Sequence, residues 1–211
     1  MADPLIGILI VGGLYAIGSL FDADSRLKRR LRKANVWPIA ELPEDTYGRI
    51  VGQADVFETE LIAPMSGRRC VYYKVDVQNG NDEVLEETKA VSFVVHDDTG
   101  RAVVDPSHAT VVLVRDSTTT SGSFVEPTAA QKALLERHGE TSDGWIYDLK
   151  LTYREAVIEI GERVTVRGAG VREPDPDGQP TGGYRGGPPT RLRLTSSDRY
   201  PLEISDDPKV L

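Results

Sequence analysis

Cys70 closes the run Ser66-Gly67-Arg68-Arg69-Cys70. Two adjacent cations favour a thiolate, which would make Cys70 a nucleophile or a redox-active group. The competing reading is a strand cysteine buried in a core, since cysteine is among the most buried residue types. The β-rich run that Cys70 opens favours burial. Ser66, His96, His108 and the neighbouring aspartates hold the side-chain types of a hydrolase triad. However, Pro64-Met65-Ser66-Gly67 lacks the spacing of a nucleophile elbow. One cysteine and three scattered histidines give four soft or borderline metal ligands, without paired zinc spacing. The acidic turn Asp97-Asp98-Thr99-Gly100 lacks the further loop ligands that calcium needs. No phosphate-cradling glycine loop of dinucleotide or Walker type is present. The residues therefore predict no catalytic centre, no metal and no cofactor.

These groups must be held by a chain of 211 residues, enough for one ordinary domain and an appendage. The net charge of −8 argues against a nucleic-acid partner. The average hides a local extreme. Leu5 to Phe21 carry no charge, and as a helix they would extend about 25 Å. That is the short end of a transmembrane span, so residues 4–22 are predicted to be one, with the lipid bilayer as partner. Arg26, Lys28, Arg29, Arg30, Arg32 and Lys33 follow at once, and no basic residue precedes the run. The positive-inside rule then predicts a single-pass protein, N-terminus outside and C-terminal domain cytoplasmic. The same six residues can meet anionic headgroups at the membrane surface. Gly12 and Ala16 form a small-xxx-small pair, the signal for a homo-oligomer through the span.

Residues 23–46 read as a basic juxtamembrane segment and a proline-broken linker. Leu27, Leu31 and Ala34 recur at helical spacing within it. Beyond it, residues 47–53, 70–77, 90–96, 102–104 and 110–115 are strand-like. So are 146–153, 156–160, 163–167, 191–194 and 202–204. Val71, Tyr73, Val75 and Val77 are expected on one face of their strand, and Cys70 and Tyr72 on the other. One helix is predicted over residues 129–138, with Gly139 at its C-cap. Residues 173–189, rich in glycine and proline, read as a flexible loop. The expected fold is mainly β (α+β): a β-barrel-like domain over residues 47–207 with one inserted helix, preceded by the transmembrane helix.

Five segments carry a family resemblance. They are Gly48-Arg-Ile-Val-Gly-Gln53, Leu61-Ile-Ala-Pro-Met-Ser-Gly-Arg-Arg-Cys-Val-Tyr-Tyr73, Phe93-Val-Val-His-Asp-Asp-Thr-Gly100, Tyr153 to Gly168, and Tyr200-Pro-Leu-Glu-Ile-Ser-Asp206. Their order, beside a membrane span, resembles the GIDE or BAM ("beside a membrane") domain of the MULAN/GIDE family. The resemblance singles out Pro64, Ser66, Gly67, Cys70, Tyr72, Tyr73, Asp98, Gly100, Glu155, Gly161 and Gly168, in structural or binding roles. Eukaryotic members carry a C-terminal RING that makes them E3 ubiquitin ligases. A RING needs eight metal ligands, which this composition lacks. The resemblance thus implies a RING-less interaction or regulatory domain at the membrane, with a protein partner of unknown identity. Two alternatives are a substrate-binding component of a ligase system and an oligomerising membrane scaffold.

Overall fold

The computed structural model describes residues 24–140, 149–178 and 188–211. The expected span over 4–22 lies outside them. Among the described residues, no helix is long and apolar enough to cross a membrane. A helix, α1, occupies residues 24–33. It is followed by β1 (Gly48–Val56), β2 (Leu61–Ile62), β3 (Arg69–Asn79), β4 (Asp82–Ala90), β5 (Phe93–His96) and β6 (Arg101–Val104). Then come β7 (Thr110–Val112), β8 (Ser117–Ser121), α2 (Ala129–Arg137) and β9 (Leu151–Glu159). The last strands are β10 (Arg163–Pro174), β11 (Thr190–Thr195) and β12 (Glu203–Ser205). The protein is mainly β.

One sheet closes on itself. Its strands run β1-β5-β6-β11-β10, and β10 returns to pair with β1. Every ring pairing is antiparallel except β6 with β11. Counting ring strands in chain order gives 1-2-3-5-4, the connectivity of an OB-type Greek-key barrel. Inward alternation fills the ring with Ile50, Ala54, Phe93, Val95, Ala102, Val104, Val164, Val166, Leu192 and Leu194, all at or near zero exposure. β12 and β7 extend the sheet from β10.

The second sheet is built from two insertions into that ring. β2, β3 and β4 lie between the first two ring strands, and β8 and β9 lie between the third and fourth. β3 is central, paired with β9 on one side and with β2 and β4 on the other. α2 covers this sheet with Leu134 and Leu135. It is capped by Thr128, whose side chain accepts from Gln131 N–H while Gln131 returns the bond.

The expected alternation in β3 breaks at one point. Cys70 pairs with Glu159 but Tyr72 with Ile158, so a bulge sits between them. Cys70 therefore joins Tyr73, Val75 and Val77 in the second core, whereas Val71 and Tyr72 both face the barrel core. Three strands have no counterpart in the sequence reading: β2, only two residues long, β4, masked by its charges, and β8, all serine and threonine. The predicted strands over 146–153 and 156–160 appear as one strand from Leu151, and residues 146–148 lie outside the described part.

The segment read as juxtamembrane and linker is packed on the barrel. Leu27 and Leu31 of α1 are buried with Val112 and Val210. Ile39 and Leu42 are buried in the barrel core. Ile39 N–H donates to Asp97 Oδ2 (3.0 Å) and Ala40 N–H to Thr99 Oγ1 (3.1 Å). The helix ends at residue 33, ahead of both prolines, and the chain beyond it stays seated on the barrel. The base of the 173–189 loop is also fixed, since Asp175 is buried and its N–H donates to the Pro189 carbonyl (2.9 Å). Residues 179–187 lie outside the described part.

Candidate functional site

Of the residues singled out by sequence, Ser66, Gly67, Cys70 and Glu155 come together where the turn after β2 meets β3 and β9. Pro64 and Gly67 shape that turn, with Gly67 at φ 69°. Glu155 is buried and acts as its clamp. Its Oε1 accepts Met65 N–H (2.8 Å) and its Oε2 accepts Ser66 N–H (3.1 Å). Both carboxylate oxygens are thus occupied by backbone donors.

The activation that two flanking arginines could confer on Cys70 does not arise, and the cysteine is buried as its strand-like run suggests. Arg68 pairs with Glu159, and its guanidinium lies 3.6 Å from Asp116. Arg69 pairs with Glu60 at 2.6 Å. Both neighbouring cations are therefore neutralised by carboxylates. Burial, with the charge of Glu155 behind it, pushes the Cys70 thiol up to about 11. Its sulfur faces the Leu61 carbonyl at 3.7 Å. A thiol so placed is protonated near neutral pH and is a packing group.

Tyr73 belongs to a different cluster, around Glu87 of β4. Tyr73 donates its hydroxyl to Glu87 Oε1 (2.5 Å), and His138 Nε2 lies 2.6 Å from Oε2. Arg137 adds hydrogen bonds of 3.1 and 3.2 Å. Burial alone would raise the Glu87 pKa. The bonds from Tyr73 and His138 and the Arg137 charge outweigh it and bring it down to about 2. The Tyr73 hydroxyl is raised, by burial first and by Glu87 second. The cluster pins the end of α2 to the sheet. Sequence reasoning missed Glu87, Arg137 and His138, because their partners lie about 50 residues apart.

The remaining motif residues are dispersed. Tyr72 packs in the barrel core. Gly161 turns β9 into β10 at φ 89°. Gly168 sits on β10, where a Cβ would stand 2.6 Å from Leu202 Cδ1. At the β5–β6 turn, the exposed Asp98 gives way to Asp97. Asp97 Oδ1 accepts Thr99 N–H (2.8 Å) and Gly100 N–H (2.9 Å), and its Oδ2 holds Ile39. Its oxygens are engaged by backbone. Among the described residues, no group of three or more His, Cys, Asp or Glu is arranged to hold a metal ion.

The basic residues form the clearest surface. At 100° per residue, Leu27 and Leu31 make one stripe of α1, facing the barrel. Lys28 and Arg30 flank that stripe and bind the domain. Lys28 Nζ lies 2.7 Å from Asp207 Oδ2, and Arg30 lies 2.6 Å from Glu203 Oε1. Both thus take part in the helix–barrel joint, a role their place in the sequence did not show. Arg29 and Lys33 lie on the opposite stripe with Arg32 beside them, all three exposed, and Arg26 is exposed as well. Arg49 completes the joint from below. It is buried, and donates to the carbonyls of Leu31 (2.5 Å) and Val210 (2.5 Å) and to Thr165 Oγ1 (3.0 Å). Burial lowers its pKa. The carbonyl end of a helix is a favourable place for such a charge.

No protein-family model, curated protein or solved structure matches the chain.

Proposed function

We propose that the protein is a membrane-anchored interaction module, with a GIDE/BAM-type barrel held at the cytoplasmic face by its N-terminal span. The observation that carries this reading is the division of labour on α1. Its leucine stripe and two flanking cations bind the barrel. Arg29, Arg32 and Lys33 are left outward, directly after an uncharged run long enough to reach across a bilayer. Cys70, whose neighbours suggested chemistry, is a packing group, and Glu155 and Glu87 hold a turn and a helix in place. A regulatory or scaffolding activity would then depend on what the barrel presents to a protein partner.

The test is fractionation and topology of the full chain. The protein should resist alkaline extraction from membranes, and a cytoplasm-dependent reporter fused at Leu211 should be active. Neutralising Arg29, Arg32 and Lys33 to Gln should weaken the orientation bias without lowering thermal stability. Neutralising Lys28 and Arg30 should lower stability as well. Release by alkali, or a reporter active only on the far side of the membrane, would reject the reading.

A further inference from the structure

The two outer edges of the second sheet are built differently. Edge strands offer free backbone groups to any passing strand, and proteins usually blunt them with charge, proline or bulges. β4 follows that rule: Asp82, Glu83, Glu86, Glu87 and Lys89 all lie on it. β8 does not. Its sequence is Ser117-Thr-Thr-Thr-Ser121, without charge, proline or glycine, and Thr118, Thr119 and Thr120 are exposed. Among the described residues, β8 pairs with β9 on one side and with no strand on the other. No charged residue occurs from Ser117 to Val125.

We infer that β8 is a self-association edge, pairing antiparallel with β8 of a second copy about a two-fold axis through Thr119. The strand is a palindrome, Ser-Thr-Thr-Thr-Ser. A two-fold at Thr119 therefore sets Ser117 against Ser121 of the other copy, and Thr118 against its Thr120. Cross-strand threonine pairs stabilise such ladders, and no like charges meet. The apolar surface follows the same symmetry. Phe124 is fully exposed, at the tip of a tight turn closed by mutual Gly122–Val125 backbone bonds of 2.9 Å. Val114 is 41% exposed. Phe124 lies five residues after Thr119 and Val114 five before it. The two-fold brings the Phe124 end of each copy to the Val114 end of the other. β4 is unsuited to this role, since its self-pairing would face carboxylates with carboxylates. The second copy is thus the occupant that the edge fits, and the two sheets would become one across the axis.

The test is cross-linking of the full chain, with Cys70 left in place as a buried, unreactive control. Thr119→Cys should form a reducible disulfide dimer under mild oxidation, because paired strands bring opposite Cα atoms within about 5.5 Å. Wild type and Glu86→Cys should not. Adding Lys at both Thr118 and Thr120 should cut the dimer yield about tenfold. Phe124→Asp should also reduce it, with far-UV circular dichroism unchanged. Absence of the Thr119→Cys dimer would overturn the inference. So would equal yields at positions 86 and 119, or a yield indifferent to both the lysines and Phe124→Asp. Dimers formed only through the span would still fail to link position 119, so the outcome is separate from the membrane reading.

Discussion

Asp206 and Glu87 are both buried carboxylates with opposite titration. Glu87 is surrounded by donors and stays charged. Asp206 is 5% exposed, and burial first, then the nearby Glu162, raises its pKa to about 7. Its Oδ1 accepts Val114 N–H at 2.8 Å. A carboxylate with a raised folded pKa binds its proton more tightly folded than unfolded. Its stabilising contribution is complete below the unfolded value near 3.8 and is lost as pH rises through about 7. Asp206→Asn keeps the acceptor and removes the charge. It should raise the melting temperature at pH 8 and leave it little changed at pH 4, so that the wild type and variant curves converge on acidification. Parallel curves would refute this. The sign reverses for Glu87. Its contribution is present above the unfolded carboxylate pKa and lost as pH falls toward about 2. Glu87→Gln should cost about 2 kcal/mol near neutral pH, because Tyr73, Arg137 and His138 lose a charged acceptor. Thermal denaturation should show the cost shrinking below pH 4.

At the scale of elements, the barrel strands were legible because ring strands alternate apolar and polar residues, as 163–167 and 191–194 do. β4 and β8 were not, since an edge strand buries too little to need that pattern. The bulge at Val71 was likewise invisible. Two cores compete for adjacent residues there, and periodicity sees only one face. α1 was read as a helix, but its docking depends on Arg49, Glu203 and Asp207, which no local window contains. The sequence-based expectation of a domain starting near residue 47 meets a different boundary in the packing. A soluble chain beginning at residue 24 should fold with the stability of the whole domain. One beginning at residue 44 removes Ile39 and Leu42 from the barrel core and strips Arg49 of the Leu31 carbonyl. It should aggregate or melt at a lower temperature. Leu31→Ala in the longer chain should cost about 3 kcal/mol, the usual range for a fully buried leucine. Equal melting temperatures for the two starting points would show that α1 and its extension contribute nothing to the fold.

At the scale of the whole molecule, the two cores share two strands, β3 and β9. β3 gives Val71 and Tyr72 to the barrel core and Cys70, Tyr73, Val75 and Val77 to the other. β9 divides in the same way, with Ile158 on one side and Tyr153 and Val157 on the other. β9 also turns at Gly161 into β10, the strand that closes the ring against β1. The second sheet cannot lose β3 or β9 without stripping Val71, Tyr72 and Ile158 from the barrel core. Two insertions that looked like decoration in chain order therefore behave as part of one unit. Calorimetry of the soluble domain should give a single transition whose calorimetric and van't Hoff enthalpies agree. Val75→Ala perturbs only the second core and Ile204→Ala only the barrel. Each should shift that one transition downward as a whole, by several degrees. A profile that splits in two, with each substitution moving a different peak, would show that the sheets fold separately and that the shared strands do not couple them.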